Sequence, residues 1–170
     1  MRYLALLGIS CISMILTACI SPALPIFGAQ LDFLLAVMVC MVLLEKTMTP
    51  VFYIAAAAVW MDAFFAKALG FYVLQYLLSG VCVYIFARKR SVKMAEMVCT
   101  AAAAWVLREW LGVIFCFLMD APVGLGSRMI HSILPGLLPQ VLLSMGIYYC
   151  MDKLYRHRFI WPVAAFMDRS

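Results

Sequence analysis

The chain has 170 residues, of which 68% are apolar and only 12% are charged. A soluble domain of this size is about half apolar and a quarter charged, so the composition excludes a water-exposed surface over most of the chain. The formal charge of +5 needs no nucleic acid to explain it, because the basic residues gather beside apolar runs, where anionic lipid headgroups attract them. We therefore expect an integral membrane protein that contacts membrane lipids and has no nucleic-acid partner.

Apolar runs that approach the length needed to cross a bilayer, about 17–25 residues, recur along the chain. The second run is short and the fifth is long. We expect local thinning or an earlier start near Pro25 for the second, and tilt for the fifth. The sequence predicts an all-α fold: one integral membrane domain over 1–170, built as a bundle of six transmembrane helices. The predicted spans are 3–20, 31–44, 50–66, 69–87, 95–119 and 129–151.

The distribution of Lys and Arg predicts the orientation of the chain. With the N-terminus inside, ten of the 13 basic residues fall on the inner side, Lys67 and Arg128 fall on the outer side, and Arg108 lies within a span. Both termini are therefore predicted to be cytoplasmic. Two juxtamembrane clusters would face lipid or a partner, and they contain Arg88, Lys89, Arg90, Lys93, Arg156 and Arg158.

The first span has an alternative interpretation. Its end, Leu16-Thr17-Ala18-Cys19, resembles the cleavage site of a bacterial lipoprotein signal. Cleavage before Cys19 would leave five spans and break the even topology, and lipoproteins usually carry a soluble domain, which we do not see in this sequence. We expect the first helix to be retained.

The third span carries an acid inside an apolar helix, and we expect the stretch 50–67 to organise the rest of the chain. At 3.6 residues per turn, Asp62 shares one side of this helix with Ala55, Ala58 and Ala66. Small residues allow a close neighbour there, and an ionisable group at this depth usually faces protein or a water-filled cavity. Asp62 is therefore a candidate site residue.

The fifth span carries the other intramembrane charges, Arg108 and Glu109. Adjacent residues of a helix point about 100° apart, so we expect each to find its own neighbour and not to pair with the other. At about 1.5 Å per residue from the inner ends, Asp62 and Arg108 both lie roughly 18–21 Å up, in the outer half of the bilayer. Their matched depth and opposite charge predict an ion pair between the third and fifth spans.

Three further residues have expected structural roles near the outer surface. Asp32 opens the second span, where a capping role at the positive end of the helix dipole is favoured over a ligand role. Gly70 lies in the turn after the third span and indicates a close backbone approach or a positive φ. Tyr76, with the other aromatic residues of the fourth span, is interpreted as an interfacial or lipid-facing side chain.

No catalytic or metal-binding pattern is visible in the sequence. His131, near the start of the sixth span, follows Ser127 of the preceding outer loop by four residues, but no nucleophile motif of a serine hydrolase surrounds them. The seven cysteines contain no C-x-x-C pair and are interpreted as apolar packing residues. Since no clustered acid, base and nucleophile set appears, we expect a protein that is not an enzyme and uses no metal or cofactor.

Several features together resemble the MreD family of rod shape-determining inner-membrane proteins. They are Leu31-Asp32 at the start of the second span, Asp62 late in the third, Leu69-Gly70 in the next turn, the basic run from Arg88 to Arg90, and a proline-containing last span with a basic tail. The resemblance implies a multi-pass protein of the bacterial inner membrane. It also implies a fold like the substrate-binding subunit of energy-coupling-factor transporters.

The function that the resemblance implies is a non-enzymatic scaffold of the cell-elongation complex. Such a scaffold binds the bitopic protein MreC and helps to couple the MreB filament to the peptidoglycan synthases of the side wall, and so to rod shape. No cofactor would be required.

The sequence also allows an alternative function. The chain could be the substrate-binding membrane subunit of an energy-coupling-factor vitamin transporter. In that case 101–104, a run of alanines, would contact a helical partner subunit. The residues lining an outer pocket would be Asp62, Arg108, Glu109 and His131.

Overall fold

A computed structural model describes residues 2–20, 30–65, 70–88, 94–118 and 133–155. This part of the chain is helical and contains no strand. Each helix begins and ends within five residues of one of the six predicted runs. The helices are α1 (Arg2–Ile15, continued by a π-helical segment, Leu16–Ile20), α2 (Phe33–Glu45), α3 (Thr49–Phe65), α4 (Phe71–Arg88), α5 (Met94–Leu118) and α6 (Leu134–Tyr155).

Three of these helices, α4, α5 and α6, are long and apolar enough to cross a membrane. The other apolar helices of the described residues are shorter: Leu4–Ile20, α2 and Thr49–Phe64. The predicted all-α fold class is confirmed, and the three long apolar helices agree with a membrane protein. Six spans remain a prediction, because a short apolar helix can lie inside a bundle without crossing the bilayer.

The centre of the bundle is α2, which contacts each of the other five helices. Every residue from Leu34 to Leu43 is buried, and so is Glu45. A helix that is apolar all round is stable in this way only when other elements enclose it. The expectation that the third span organises the chain is therefore wrong, because α2 and not α3 provides the shared packing surface.

The short length of α2 is compatible with its enclosure by the other helices. Its 13 residues extend about 20 Å, less than the hydrocarbon thickness of a bilayer, which is about 30 Å. An earlier start near Pro25 is excluded, since Asp32 has extended backbone angles and forms the N-cap. A helix surrounded by protein need not reach either membrane surface, provided that its terminal backbone groups have partners.

Both ends of α2 do have partners. At the N-terminus, the Leu34 N–H donates to Thr17 Oγ1 over 2.9 Å, which ties the π-helical segment to α2. Cleavage before Cys19 would remove this bond. At the C-terminus, Lys46 adopts a left-handed conformation (φ 51°) and its N–H donates to the Val42 carbonyl. Glu45 accepts a 2.7 Å hydrogen bond from the Tyr155 hydroxyl of α6.

Close contact between α4 and its neighbours depends on a glycine. A Cβ atom at Gly80 would lie 2.6 Å from Cγ1 of Val51 in α3 and 3.0 Å from Sδ of Met38 in α2. The buried residues of α4 recur every three or four positions, as expected for one helix face against a core. They are Gln75, Tyr76, Ser79, Gly80, Val83 and Ala87.

Candidate functional site: a polar cluster at the N-terminus of the central helix

Asp32 is the centre of a buried polar cluster at the N-terminus of α2. Its Oδ1 atom accepts the Leu35 N–H over 2.9 Å, which confirms the predicted capping role. Its Oδ2 atom accepts a 2.8 Å hydrogen bond from the Tyr76 hydroxyl of α4 and lies 3.0 Å from Nε of Arg108 in α5. Asp32 is only 1% exposed. One carboxylate therefore caps α2 and holds two further helices against it.

Gln140 of α6 completes the cap by bonding the backbone of the same aspartate. Its Oε1 atom accepts the Asp32 N–H over 3.0 Å, and its Nε2 atom donates to the Asp32 carbonyl over 2.9 Å. The first bond satisfies a backbone N–H that a helix terminus leaves without a partner, and the second adds to the Ala36 N–H that the Asp32 carbonyl already accepts. Ser144, one turn further along α6, donates its hydroxyl to the Gln140 carbonyl. The backbone at the start of α2 is thus held from α6.

Arg108 bridges the two acids of the cluster. Besides the contact with Asp32, its Nη1 atom donates to Oε1 of Glu109 over 2.8 Å. Its guanidinium carbon lies 5.8 Å from the ring centroid of Tyr76 and 5.7 Å from that of Trp105, which are cation–π distances. Asp32, Tyr76, Arg108, Glu109 and Gln140 are called the Asp32 cluster below. It joins α2, α4, α5 and α6.

The expectation that Arg108 and Glu109 do not pair is wrong. Their Cβ atoms do point in different directions, since adjacent residues of a helix are about 100° apart. The arginine side chain is long enough to turn back along the helix surface, and its terminal nitrogen reaches the glutamate carboxylate. Both side chains are mostly buried, at 17% and 16% exposure, so solvent screens the attraction between the two charges only partly.

Asp62 has a different role from the predicted ion pair with Arg108. Its two carboxylate oxygens accept the N–H groups of Tyr72 and Val73, over 2.8 Å and 3.0 Å. These N–H groups belong to the first turn of α4, where backbone donors have no partner within the helix and the dipole favours a negative charge. Because α4 starts soon after α3 ends, Asp62 meets this helix terminus, while Arg108 is engaged by Asp32. The predicted pair is therefore wrong.

The turn between α3 and α4 has the predicted glycine conformation. Gly70 has a φ of 90°, a region that residues with a Cβ rarely adopt. Its carbonyl accepts the Leu74 N–H over 3.0 Å and starts the hydrogen-bonding of α4. Gly70 and Asp62 therefore define one structural unit at the beginning of this helix.

Replacing Asp62 with alanine is expected to destabilise the chain by about 1–2 kcal/mol, the usual cost of losing a helix cap. Asp62→Asn, which keeps one acceptor oxygen, should cost less. Thermal unfolding in detergent measures both. The exchange Asp62→Arg with Arg108→Asp should be worse than either single change, since the two residues have separate partners; recovery of stability by the exchange would restore the ion-pair hypothesis.

The other predicted site residues lie away from the Asp32 cluster or outside the described part of the chain. Arg88 is exposed in the last turn of α4, as predicted for a juxtamembrane basic residue. Ala101 and Ala104 are each only 2% exposed and pack in the core, whereas Ala103 between them is exposed and lines a groove between α4 and α5, so a partner contact at 101–104 stays a prediction. The residues outside the described part of the chain are Lys89, Arg90, Lys93, His131, Arg156 and Arg158.

Two members of the cluster were missed in the sequence. Tyr76 is fully buried, so its interpretation as an interfacial or lipid-facing residue is wrong. A signal existed, because Tyr76 falls on the same helical face as Ser79, Gly80 and Val83. Gln140 could have been found as an uncharged polar residue deep in the last apolar run, where a side-chain amide needs partners.

The chemistry available to the cluster is mainly structural. Each Asp32 oxygen already has a donor or a cation, and the described residues contain no group of three His, Cys, Asp or Glu that could hold a metal.

Comparisons of the chain with protein-family models, with curated proteins and with solved structures found no match. A groove of about 190 Å³ lies between α4 and α5 and is lined mostly by small or apolar side chains such as Cys82, Val83, Cys99 and Ala103.

Proposed function

We propose that the chain is a non-enzymatic membrane scaffold of the MreD kind. In this proposal it is a multi-pass protein of the bacterial inner membrane, with six spans and both termini in the cytoplasm. It binds an MreC-like bitopic protein and helps to couple an MreB filament to the peptidoglycan synthases of the side wall. It would position the members of a complex and would not catalyse a reaction.

The observation that carries this proposal is that the charged residues of the predicted spans form contacts within the protein. Arg108 contacts both Asp32 and Glu109, and Asp62 caps a helix. Charged groups inside a membrane commonly mark a substrate or ion pathway, and here they instead join helices. A bundle whose buried charged groups have partners within the protein suits a protein that presents a surface to partners.

The filled centre of the bundle supports the same function. A vitamin-binding subunit needs a central pocket, whereas the axis of this bundle is occupied by α2 and its buried side chains, among them Leu35, Met38 and Met41. Asp32 at the start of α2, and Asp62 and Gly70 at the start of α4, are also the residues that carry the resemblance to the MreD family. They lie at the two helix starts that set the packing of α2 and α4.

The proposal is tested by affinity purification of the full chain from native membranes in mild detergent, with mass spectrometry of the bound proteins. We expect a single-span protein with a large extracytoplasmic domain, together with wall-synthesis enzymes. The control is an unrelated multi-pass protein carrying the same tag. Recovery of paired cytosolic ATPases and a helical coupling subunit would instead establish the transporter function and refute the scaffold.

A further inference from the structure

Two buried polar side-chain atoms of the described residues have no hydrogen-bond partner, Oγ of Ser79 and Nε of Arg108. Ser79 is 0% exposed. The Nε atom lies 3.0 Å from Oδ2 of Asp32, but the contact is ionic and lacks hydrogen-bond geometry. Buried polar groups in folded proteins almost always have a partner, either protein or ordered water, so each of these atoms requires an explanation.

Ser79 differs from the other hydroxyl residues of these helices. A serine or threonine inside a helix can satisfy its hydroxyl by donating to the carbonyl four residues earlier. Ser10, Thr17, Thr100 and Ser144 all do so, over 2.6–2.9 Å. Ser79 does not make this bond, although the geometry of α4 offers it. Its hydroxyl therefore needs a partner outside its own helix.

The register between α4 and α5 places Ser79 and Arg108 at one level. A Cβ atom at Gly112 would lie 2.9 Å from Nε2 of Gln75, so these two residues face each other. Val83 and Ala104, two turns away on each helix, line the same groove. The intervening turn therefore sets Ser79 of α4 opposite Arg108 of α5.

We propose that an ordered water molecule is bound between α4 and α5, where it accepts the Arg108 Nε–H and hydrogen-bonds to the Ser79 hydroxyl. A buried water needs two to four polar partners. The Gln75 amide lies one turn away, against Gly112, and would be a third partner.

The charges around this position favour a water molecule over an ion. Arg108 repels a cation, and the adjacent carboxylates of Asp32 and Glu109 repel an anion. A neutral molecule that both donates and accepts matches a guanidinium N–H and a hydroxyl. The inference is independent of the scaffold proposal, since it concerns only the packing of α4 on α5.

The test is a crystal structure of the full chain, grown from a lipidic mesophase at a resolution that shows ordered water, together with thermal unfolding of Ser79→Ala. We expect density within hydrogen-bonding distance of Ser79 Oγ and Arg108 Nε that disappears in the variant. The variant should also unfold about 2–4 °C lower, because it loses one hydrogen bond. Ser144→Ala, which removes a hydroxyl bonded within its own helix, is the matched control and should leave the density in place.

Two results would overturn the inference. One is the absence of density at this position in a map that shows other internal waters. The other is a Ser79→Ala variant at least as stable as the parent chain, because removing a hydroxyl that truly has no partner relieves a desolvation cost and does not add one.

Discussion

Replacing Arg108 with methionine is expected to destabilise the chain by about 3–5 kcal/mol, the cost of breaking a buried ion pair by removing one partner. Methionine keeps much of the apolar stem, so the loss would come from Asp32 and Glu109 retaining negative charge with no cation beside them. The free energy of unfolding in mixed micelles measures the effect. Loss of monodisperse protein after detergent extraction would accompany it.

A matched control is the same substitution at Arg88, which is exposed in the last turn of α4. Arg88→Met should change the unfolding free energy by less than about 0.5 kcal/mol, as surface substitutions usually do. Adding Asp32→Asn to Arg108→Met should recover part of the loss, because the two residues are in contact and their effects are not additive. Equal stability of Arg108→Met and Arg88→Met would show that the Asp32 cluster is not held by charge.

Replacing Gln140 with methionine is expected to cost about 2–3 kcal/mol. The side chains are similar in size, but methionine cannot bond the Asp32 N–H and carbonyl, and the N–H would then be buried without a partner. Hydrogen exchange would show the change locally, as faster exchange of the first amides of α2 before any effect on its last turn.

The control for this prediction is Gln30→Met, the same substitution at an exposed glutamine just before the Asp32 cap. It should leave both stability and exchange unchanged. If Gln140→Met also leaves the exchange of α2 unchanged, then water replaces the amide at this site and α6 does not hold the start of α2.

The helices were largely predictable because long apolar runs leave few alternatives. Each of the six predicted runs contains a helix with nearby bounds. The role of α2 was not predictable from its composition, since a helix enclosed by protein and one enclosed by lipid are both apolar on every side. Its short length was the available signal, and we interpreted it as thinning of the bilayer or an extra turn.

The partners of the charged residues were harder to predict than their positions. Asp32 and Asp62 both lie near the outer ends of their predicted spans, so depth alone could not decide which one meets Arg108. The structure decides by local geometry, because Asp62 is followed closely by the N–H groups of Tyr72 and Val73. A long-range contact such as that between Gln140 and Asp32 leaves no periodic pattern in a single sequence.

The enclosure of α2 also sets the order in which the chain can be assembled during synthesis. Asp32 obtains its amide partner 108 residues later, and Glu45 obtains its tyrosine 110 residues later. Until α6 has left the ribosome, α2 is too short to span lipid and has a carboxylate at each end. A nascent chain that stops before α6 would therefore hold α2 at the insertion machinery without a stable place in the bilayer.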